Sequence, residues 1–468
     1  MSLLLLDRAE QGETAIRPRP GEQYRFHFDM SKCIGCRCCE VACAEQNGNS
    51  LDVNWRRVGE IEGGAYPFTQ RFYLSMGCNH CLEPSCQKGC PVNAYTKDAV
   101  TGLVLHSAST CIGCGYCTWN CPYGVPQYNP DRGVVGKCDM CFGRLQQERT
   151  PACAAACPET AIEIELVNIS EWRADHQAAN APGLPSAEQT LSTTRITLPA
   201  NISSDLRRAD FDRVRPEDPH LPLVGMLVLT QLSAGAFLGL AILKPQGPVA
   251  AAAALLVAFL SLGASTLHLG RPVFAFRAVR MWRRSWLSRE VLAFSLFAAA
   301  AAASVVARPI TPIAAALGFA GVTASAFIYL VPARPAWNSK STLADFYLTA
   351  LMLGPLFLAT LGVSVPAFPL AAAASLQLLN CVLKLIVMAA SDEFELRASS
   401  RLLAQDLRAV LLARIALLIA GGIVLPLAGH AAIGFGAALA GELLSRYLFF
   451  VSVVPRNMAA SFFRREAV

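Results

Sequence analysis

Charge is what this 468-residue sequence has least of. Only 16% of its residues are Asp, Glu, Lys or Arg, against about 25% in an ordinary soluble domain. With 53% hydrophobic residues and a mean hydropathy of +0.38, the shortfall excludes a single soluble domain and a disordered chain. Acidic residues nearly vanish from the second half: residues 220–468 hold 8 Asp/Glu against 19 Lys/Arg, whereas residues 1–219 hold 26 against 21. The net charge of +6 therefore belongs to an apolar half and reads as membrane topology, not as a nucleic-acid surface. Cysteine is scarce there too, since 17 of the 18 lie before residue 158 and Cys381 stands alone. The N-terminus lacks an export core: the run Leu3 to Leu6 is short, Asp7 follows it, and no arginine pair precedes it. No export is expected, which argues against a secreted disulfide scaffold.

What is present early is cysteine in four groups. They are Cys33-x2-Cys36-x2-Cys39-x3-Cys43, Cys78-x2-Cys81-x4-Cys86-x3-Cys90-Pro91, Cys111-x2-Cys114-x2-Cys117-x3-Cys121-Pro122, and Cys138-x2-Cys141-x11-Cys153-x3-Cys157-Pro158. The x2 spacings let successive thiolates wrap one iron–sulfur cube, and the x3-Cys-Pro step carries a fourth thiolate toward a neighbouring cluster. Gly35, Gly113 and Gly115 allow backbone to approach cluster sulfides, with N–H groups that favour an anionic centre. The competing reading is structural zinc, which also uses Cys-x2-Cys pairs, but zinc ribbons need two such pairs and not this longer repeat. Cys38, inside Cys36-Arg37-Cys38-Cys39, is an extra thiol: a spare beside the ligands, or a ligand swap. Sixteen cysteines thus predict four [4Fe–4S] clusters in an α+β ferredoxin-like domain over residues 1–167. A polar tail and linker is expected over 168–219.

From residue 220 to 468 the texture is that of an all-α membrane domain. Eight apolar stretches are each long enough to span a bilayer: 221–243, 248–267, 289–307, 310–331, 343–364, 367–390, 409–429 and 431–453. Arginine and lysine crowd one set of connections: Arg271, Arg277, Arg280, Arg283 and Arg284, then Arg334 and Lys340, then Arg397, Arg401 and Arg408, and finally Arg456, Arg464 and Arg465. The opposite face has Lys244 and Arg308. The bias predicts that both termini, and the cysteine-rich domain, lie on the cytoplasmic side of an inner membrane.

Ionisable residues inside or at the ends of spans are costly. They are His268 at the end of span two, Glu290 opening span three, Asp345 in span five, Lys384 in span six, Arg414 in span seven, and Glu442 and Arg446 in span eight. Glu442 and Arg446, four residues apart, are placed to pair. Arg414 and Lys384 read as snorkelling side chains or internal counter-charges. His268 is placed on the basic face, where a neutral imidazole could accept a quinol proton as an electron leaves; a structural hydrogen bond is the other reading.

The cysteine groups, with Cys78-Asn-His-Cys81-Leu-Glu-Pro-Ser-Cys86 and Cys121-Pro-Tyr-Gly-Val-Pro-Gln-Tyr128, resemble the four-cluster electron-transfer subunit of the dimethyl sulfoxide reductase family of molybdopterin enzymes. Leu267-His-Leu-Gly270, Ser285-Trp-Leu-Ser-Arg-Glu290 and Gly441-Glu-Leu-Leu-Ser-Arg446 resemble that family's membrane anchor. The resemblance implies a fusion of two subunits passing electrons between membrane quinone, menaquinone or ubiquinone, and a separate molybdopterin catalytic subunit. No nucleic acid enters. It also implies the cluster sets Cys33, Cys36, Cys39 with Cys157; Cys138, Cys141, Cys153 with Cys43; Cys78, Cys81, Cys86 with Cys121; and Cys111, Cys114, Cys117 with Cys90. It associates His268 with quinol; Glu290 and the arginines from Arg271 to Arg284 are the candidates to orient that histidine or hold the quinone head group. The loop charges depart from dimethyl sulfoxide reductase itself, whose clusters face the periplasm, and fit a cytoplasm-facing, sulfite-dehydrogenase-like member better, with the choice between that and a dimethyl sulfoxide or polysulfide reductase left open. A stand-alone ferredoxin:quinone oxidoreductase is the alternative function.

Overall fold

The computed structural model describes residues 17–50, 52–209, 214–245 and 247–456. The leading residues, including Leu3 to Leu6, and the terminal Arg464 and Arg465 lie outside the described residues. The chain divides into two compact units, one reaching to Arg213 and the other Val214–Pro455.

The first unit is assembled from ten short strands: β1 (Glu22–Asp29), β2 (Arg57–Gly63), β3 (Gln70–Met76), β4 (Tyr95–Lys97), β5 (Val104–His106), β6 (Gln127–Asn129), β7 (Val134–Gly136), β8 (Ile162–Asn168), β9 (Arg195–Thr197) and β10 (Arg207–Arg208). They form two three-stranded sheets, ordered β8-β1-β9 and β10-β2-β3, and two hairpins, β4-β5 and β6-β7. In β1 the aromatics Tyr24, Phe26 and Phe28 recur with the period of a strand, so all three enter the core with Ile61, Leu74, Leu103 and Leu166. The alternate residues are polar and also shielded. Arg25 stands opposite Glu165 in the antiparallel pair and meets it at 2.8 Å, while Arg195 from β9 reaches the same carboxylate at 3.3 Å.

Burial alone would raise the Glu165 carboxyl. The His27 hydrogen bond and the charges of Arg25, His27 and Arg195 outweigh that and bring it down to about 2. Because the folded value lies below the ordinary 4.5, this contribution is complete above that pH and is lost as pH falls toward 2. Hydrogen-exchange protection of β1 and β8 amides in the full chain should fall through that window. Glu165→Gln should lower it at pH 7 by about 3 kcal/mol, the usual cost of stranding a buried charge. Unaltered protection in that variant would mean that the ion cluster does not hold the sheet.

The segment expected as tail and linker is built into this unit as far as residue 209. β9 and β10 complete the two sheets, and Trp172, Ala179 and Ala187 form a small core with Leu82 and Val167. Its polar composition is explained by hydrogen bonds: the Thr193 hydroxyl donates to the Asn79 carbonyl at 2.6 Å, and the Trp172 indole to the Ser192 carbonyl at 2.8 Å.

Short helices complete the unit: α1 (Cys38–Asn47), α2 (Ser85–Gly89), α3 (Tyr116–Asn120), α4 (Phe142–Gln146), α5 (Ala152–Ala155) and α6 (Ile169–Ala174). α1 packs on α5, and α2 on α3. The first cysteine group is thereby joined to the fourth, and the second to the third.

The second unit holds eight helices long and apolar enough to cross a membrane: α7 (Leu221–Leu243), α8 (Val249–Thr266), α9 (Trp286–Val306), α10 (Thr311–Tyr329), α11 (Lys340–Thr360), α12 (Ala367–Ala390), α14 (Arg408–Ile419) and α15 (Ala431–Val451), with the shorter α13 (Phe394–Ala404) before α14. A π turn, Ala420–Val424, carries α14 on to Leu427. Each expected span falls on one of the eight. α7 is the central helix, packed on α8, α10, α11 and α15. It meets α11 backbone to backbone, because a Cβ at Gly235 would fall on the Ala350 carbonyl and one at Gly354 on the Gly235 backbone. Small residues replace side-chain interdigitation here, as lipid-embedded helices require.

Candidate metal centres and membrane site

All four cysteine groups open with the same local device. The residue before the second cysteine is left-handed in each: Gly35 at φ 71°, His80 at 44°, Gly113 at 71° and Met140 at 61°. This turn swings the second thiol back beside the first. Gly35 has a further reason to be glycine, since a Cβ would lie 2.7 Å from the Tyr73 ring. The third cysteine of each group then rides on a short helix, and the fourth lies within it or just beyond: Cys39 and Cys43 on α1, Cys86 on α2 with Cys90 after it, Cys117 on α3 with Cys121 after it, and Cys153 on α5 with Cys157 after it.

The fourth thiols cross between groups. Cys78, Cys81, Cys86 and Cys121 line one cavity, with Tyr123, Lys137 and Thr190. Cys117 is surrounded by Cys114, Cys90 and Cys111. Cys43 has Cys153 and Cys141 as its thiol neighbours, and Cys138 has Cys43 and Cys153. Cys33 faces Cys157 and Cys36. Cys39 turns instead toward Cys153 and lies 3.3 Å from the Ser75 hydroxyl, whereas exposed Cys38 sits beside Cys36 and Cys157. The sets follow one another through the unit. Cys39 links the first to that of Cys153, Cys138 is also a neighbour of Cys78, and Tyr95 lies between Cys86 and the Cys117–Cys90 pair.

The donor sets fit a cationic cluster. Burial, with neighbouring thiolates adding to it, pushes the Cys81, Cys43 and Cys114 thiols each up to about 12. Bare sets would stay protonated, so a positive centre is needed to hold four buried thiolates together. Backbone N–H groups already point at sulfur: Gly113 to Cys111 at 3.4 Å, Met140 to Cys138 at 3.4 Å, Ala94 to Cys90 at 3.2 Å and Ala161 to Cys157 at 3.3 Å.

Two buried cations accompany them, and neither was legible in the sequence. Arg56 is 2% exposed and lies among Cys153, Cys39, Cys138 and Cys43. Its Nη1 donates to the Ser75 hydroxyl at 3.1 Å, while Nε and Nη2 have no partner among the described residues. Lys137 lies among Cys78, Cys86 and Cys138 and donates to the carbonyls of Val104 and Cys138. An unpaired basic residue in a loop carries no sequence signal; only folding brings it among thiols.

In the membrane unit, His268 follows the end of α8 and neighbours His220 at the start of α7. Burial lowers its imidazole to about 4, so it is neutral at neutral pH and a weaker base than an exposed histidine. Glu290 is buried on α9 and faces Ser325 on α10. The two residues thus have different neighbours and are not seen to converge on one pocket. Arg271 caps the helical turn Pro272–Val279. The rest of the Ser285–Glu290 motif holds this connection in shape: the Ser288 hydroxyl donates to the Ala278 carbonyl at 2.5 Å, and Arg289 donates to the carbonyls of Trp282 at 3.0 Å and Arg283 at 2.8 Å. The residues of the third motif do not pair as expected. Glu442 takes its hydrogen bonds from Thr349 and Gln377, and Arg446 gives its own to Gln231 and Thr349. Among the described residues no ion pair joins them.

Cysteine sets of this kind, in one polypeptide with a bundle of eight apolar helices, define a membrane-anchored iron–sulfur electron-transfer protein. Residues 69–166 match the 4Fe-4S dicluster domain family, and residues 217–450 match the DMSO reductase anchor subunit family. An anaerobic dimethyl sulfoxide reductase chain from Haemophilus influenzae is 38% identical over 178 residues, covering 36% of this chain and 86% of that protein. The probable anaerobic dimethyl sulfoxide reductase chain YnfG of Escherichia coli K12 is 40% identical over 187 residues, 38% of this chain and 90% of that one. A sulfite dehydrogenase subunit of Allochromatium vinosum is 34% identical over 160 residues, 30% of this chain and 67% of that one. The chain belongs to the dimethyl sulfoxide reductase family, with the iron–sulfur subunit and the anchor subunit joined in one polypeptide.

Proposed function

We propose that this chain passes electrons between a membrane quinone pool and a separate molybdopterin-containing catalytic subunit, through four [4Fe–4S] clusters. The observation that carries the reading is the succession of four thiol sets through one compact unit, joined to a membrane anchor. Cys33, Cys36, Cys39 and Cys157 would hold the first cluster; Cys43, Cys138, Cys141 and Cys153 the next; Cys78, Cys81, Cys86 and Cys121 the third in space; and Cys90, Cys111, Cys114 and Cys117 the last. Each cluster, when bound, supplies a one-electron carrier. The chain's own part is to gather the thiols in sets of four, to set buried Arg56 and Lys137 against the negative charge of the bound thiolates, and to exclude water from the inner sets. His268 is assigned the quinol proton, with Arg271 and Glu290 as accessory groups. The basic connections support an inner-membrane protein with its cysteine domain on the cytoplasmic side. That sidedness favours a sulfite-dehydrogenase-like member of the family.

Isolation of the full chain under anaerobic conditions tests the reading. About sixteen irons per chain are expected, with four interacting centres on reduction, and a larger molybdopterin protein should copurify. Stoichiometric zinc with little iron would refute the cluster assignment. Full iron with no such partner would favour a stand-alone ferredoxin:quinone oxidoreductase.

A further inference from the structure

One half of the helical bundle contains a buried charge cluster to which electron transfer assigns no role. Asp345 on α11, Lys384 on α12, Arg414 on α14, and Glu442 and Arg446 on α15 bring three cations against two carboxylates. The carboxylates are occupied. Glu442 accepts from Thr349 at 2.7 Å and from Gln377 at 2.8 Å, and Asp345 accepts from Asn380 at 2.7 Å. The shortfall is in acceptors for the cations. Arg414 is 8% exposed, and its Nη1 donates only to the Cys381 sulfur at 3.3 Å. Its Nε and Nη2, and Nε of Arg446, have no partner among the described residues. The Lys384 ammonium meets the face of Phe449, 5.5 Å from the ring centre.

These groups border one cavity of about 40 Å³, walled by Trp337, Asp345, Cys381, Lys384, Arg414 and Arg446. A water molecule needs roughly 10–15 Å³ of such space, so the cavity has room for a tetrahedral oxyanion. Lys384 lies about two turns from the C-terminal end of α12, Arg414 about two turns into α14, and Asp345 in the second turn of α11. All lie toward the end of the bundle that carries Arg397, Arg401 and Arg408, within about two helical turns of it. An excess cation in a low-dielectric site is costly without a partner. A guanidinium fork matches phosphate oxygens two at a time, and basic pockets between helices at a membrane face suit anionic headgroups. Leu385, Met388 and Leu411 complete the wall with apolar surface of the kind acyl chains pack against.

We propose that this cavity binds the phosphate of an acidic phospholipid, held by Arg414 and Lys384. The full chain, delipidated in neutral detergent, is titrated with phosphatidylglycerol, phosphatidylcholine or inorganic phosphate. Binding is read by native mass spectrometry and by the thermal unfolding midpoint. Phosphatidylglycerol should be retained and should raise the midpoint; phosphatidylcholine should do neither; inorganic phosphate should compete with phosphatidylglycerol only at much higher concentration. Arg414→Gln and Lys384→Gln should each weaken phosphatidylglycerol binding at least about tenfold, roughly 1.4 kcal/mol, with partial recovery in Arg414→Lys. Should Arg414→Gln fail to assemble, Lys384→Gln decides alone, since that side chain gives up the Phe449 face and the attraction of Asp345. Three results would overturn the proposal: equal retention of both lipids; inorganic phosphate binding as tightly as phosphatidylglycerol, which would make the site one for a free ion; or unchanged lipid binding in an assembled Lys384→Gln chain. Loss of quinol-linked rate in these variants with lipid binding intact would give the cavity to quinone instead.

Discussion

Cys90→Ser should disable the centre of the third cysteine group and spare that of its own, and Cys121→Ser should do the reverse. The physical reason is the helix step. A cysteine four residues after its predecessor leaves the short helix at its far end, and α2 and α3 pack together so that each delivers its last thiol to the other's set. Cys121 accordingly lines the cavity of Cys78, Cys81 and Cys86, and Cys90 stands with Cys114 and Cys111 around Cys117. Each variant should fall from about sixteen irons to about twelve or fifteen, according to whether the damaged cluster is lost or sheds one iron. Paramagnetic spectra identify which centre changed: Cys90→Ser should match Cys114→Ser, and Cys121→Ser should match Cys81→Ser. The opposite matching would mean that each group keeps its own four thiols. The extra thiol needs the same comparison, because Cys38 lies nearer to Cys36 and Cys157 than its sequence spacing suggests. Cys38→Ser should retain all four centres and Cys39→Ser should lose one; the reverse would exchange their roles.

Replacing His268 by Leu should slow quinol-linked reduction of the clusters, or their oxidation by quinone, by at least about tenfold, roughly 1.4 kcal/mol of barrier. A quinol gives up protons with its electrons, so a neutral base is required where the electrons leave. His268 is the candidate: burial holds its imidazole at about 4, so it is unprotonated throughout the neutral range. The same burial makes it a weak base, and it would take a proton only from a quinol already losing its electron, which is far more acidic. Iron content, membrane assembly and the rate with a soluble dye should stay at wild-type levels, which separates loss of proton handling from loss of structure. Glu290→Gln tests the accessory role. Because Glu290 faces Ser325 and His268 neighbours His220, its effect should be smaller than that of His268→Leu. Wild-type quinone-linked and dye-linked rates in His268→Leu would make the residue a structural histidine.

The eight spans could be read from the sequence to within a few residues, because crossing a bilayer forces both length and apolar composition onto one continuous segment. The segment from 168 to 209 could not be read in that way. Its polar residues suggest a linker, yet Thr193 and Trp172 use them to satisfy buried carbonyls. β9 also joins β1 from about 170 residues away, with only three paired residues. The pairing expected of Glu442 and Arg446 failed for a related reason. Helical spacing makes them neighbours, but Thr349, Gln377 and Gln231 arrive from three other helices as alternative partners.

The sequence by itself therefore determined what depends on local order along the chain. Cysteines three and four positions apart must share a turn, and twenty apolar residues in a row must leave water. Tertiary structure alone decided what depends on elements meeting across long separations. The exchange of thiols between groups follows from the packing of α1 on α5 and of α2 on α3. Arg56 and Lys137 become counter-charges only where the fold sets them among thiols. Three cations from three helices border one cavity only because the fold brings α12, α14 and α15 together there. Spacing encodes a turn directly. A buried charge's partner is chosen by whichever groups the packing leaves within hydrogen-bond reach, and no pattern along the chain records that choice.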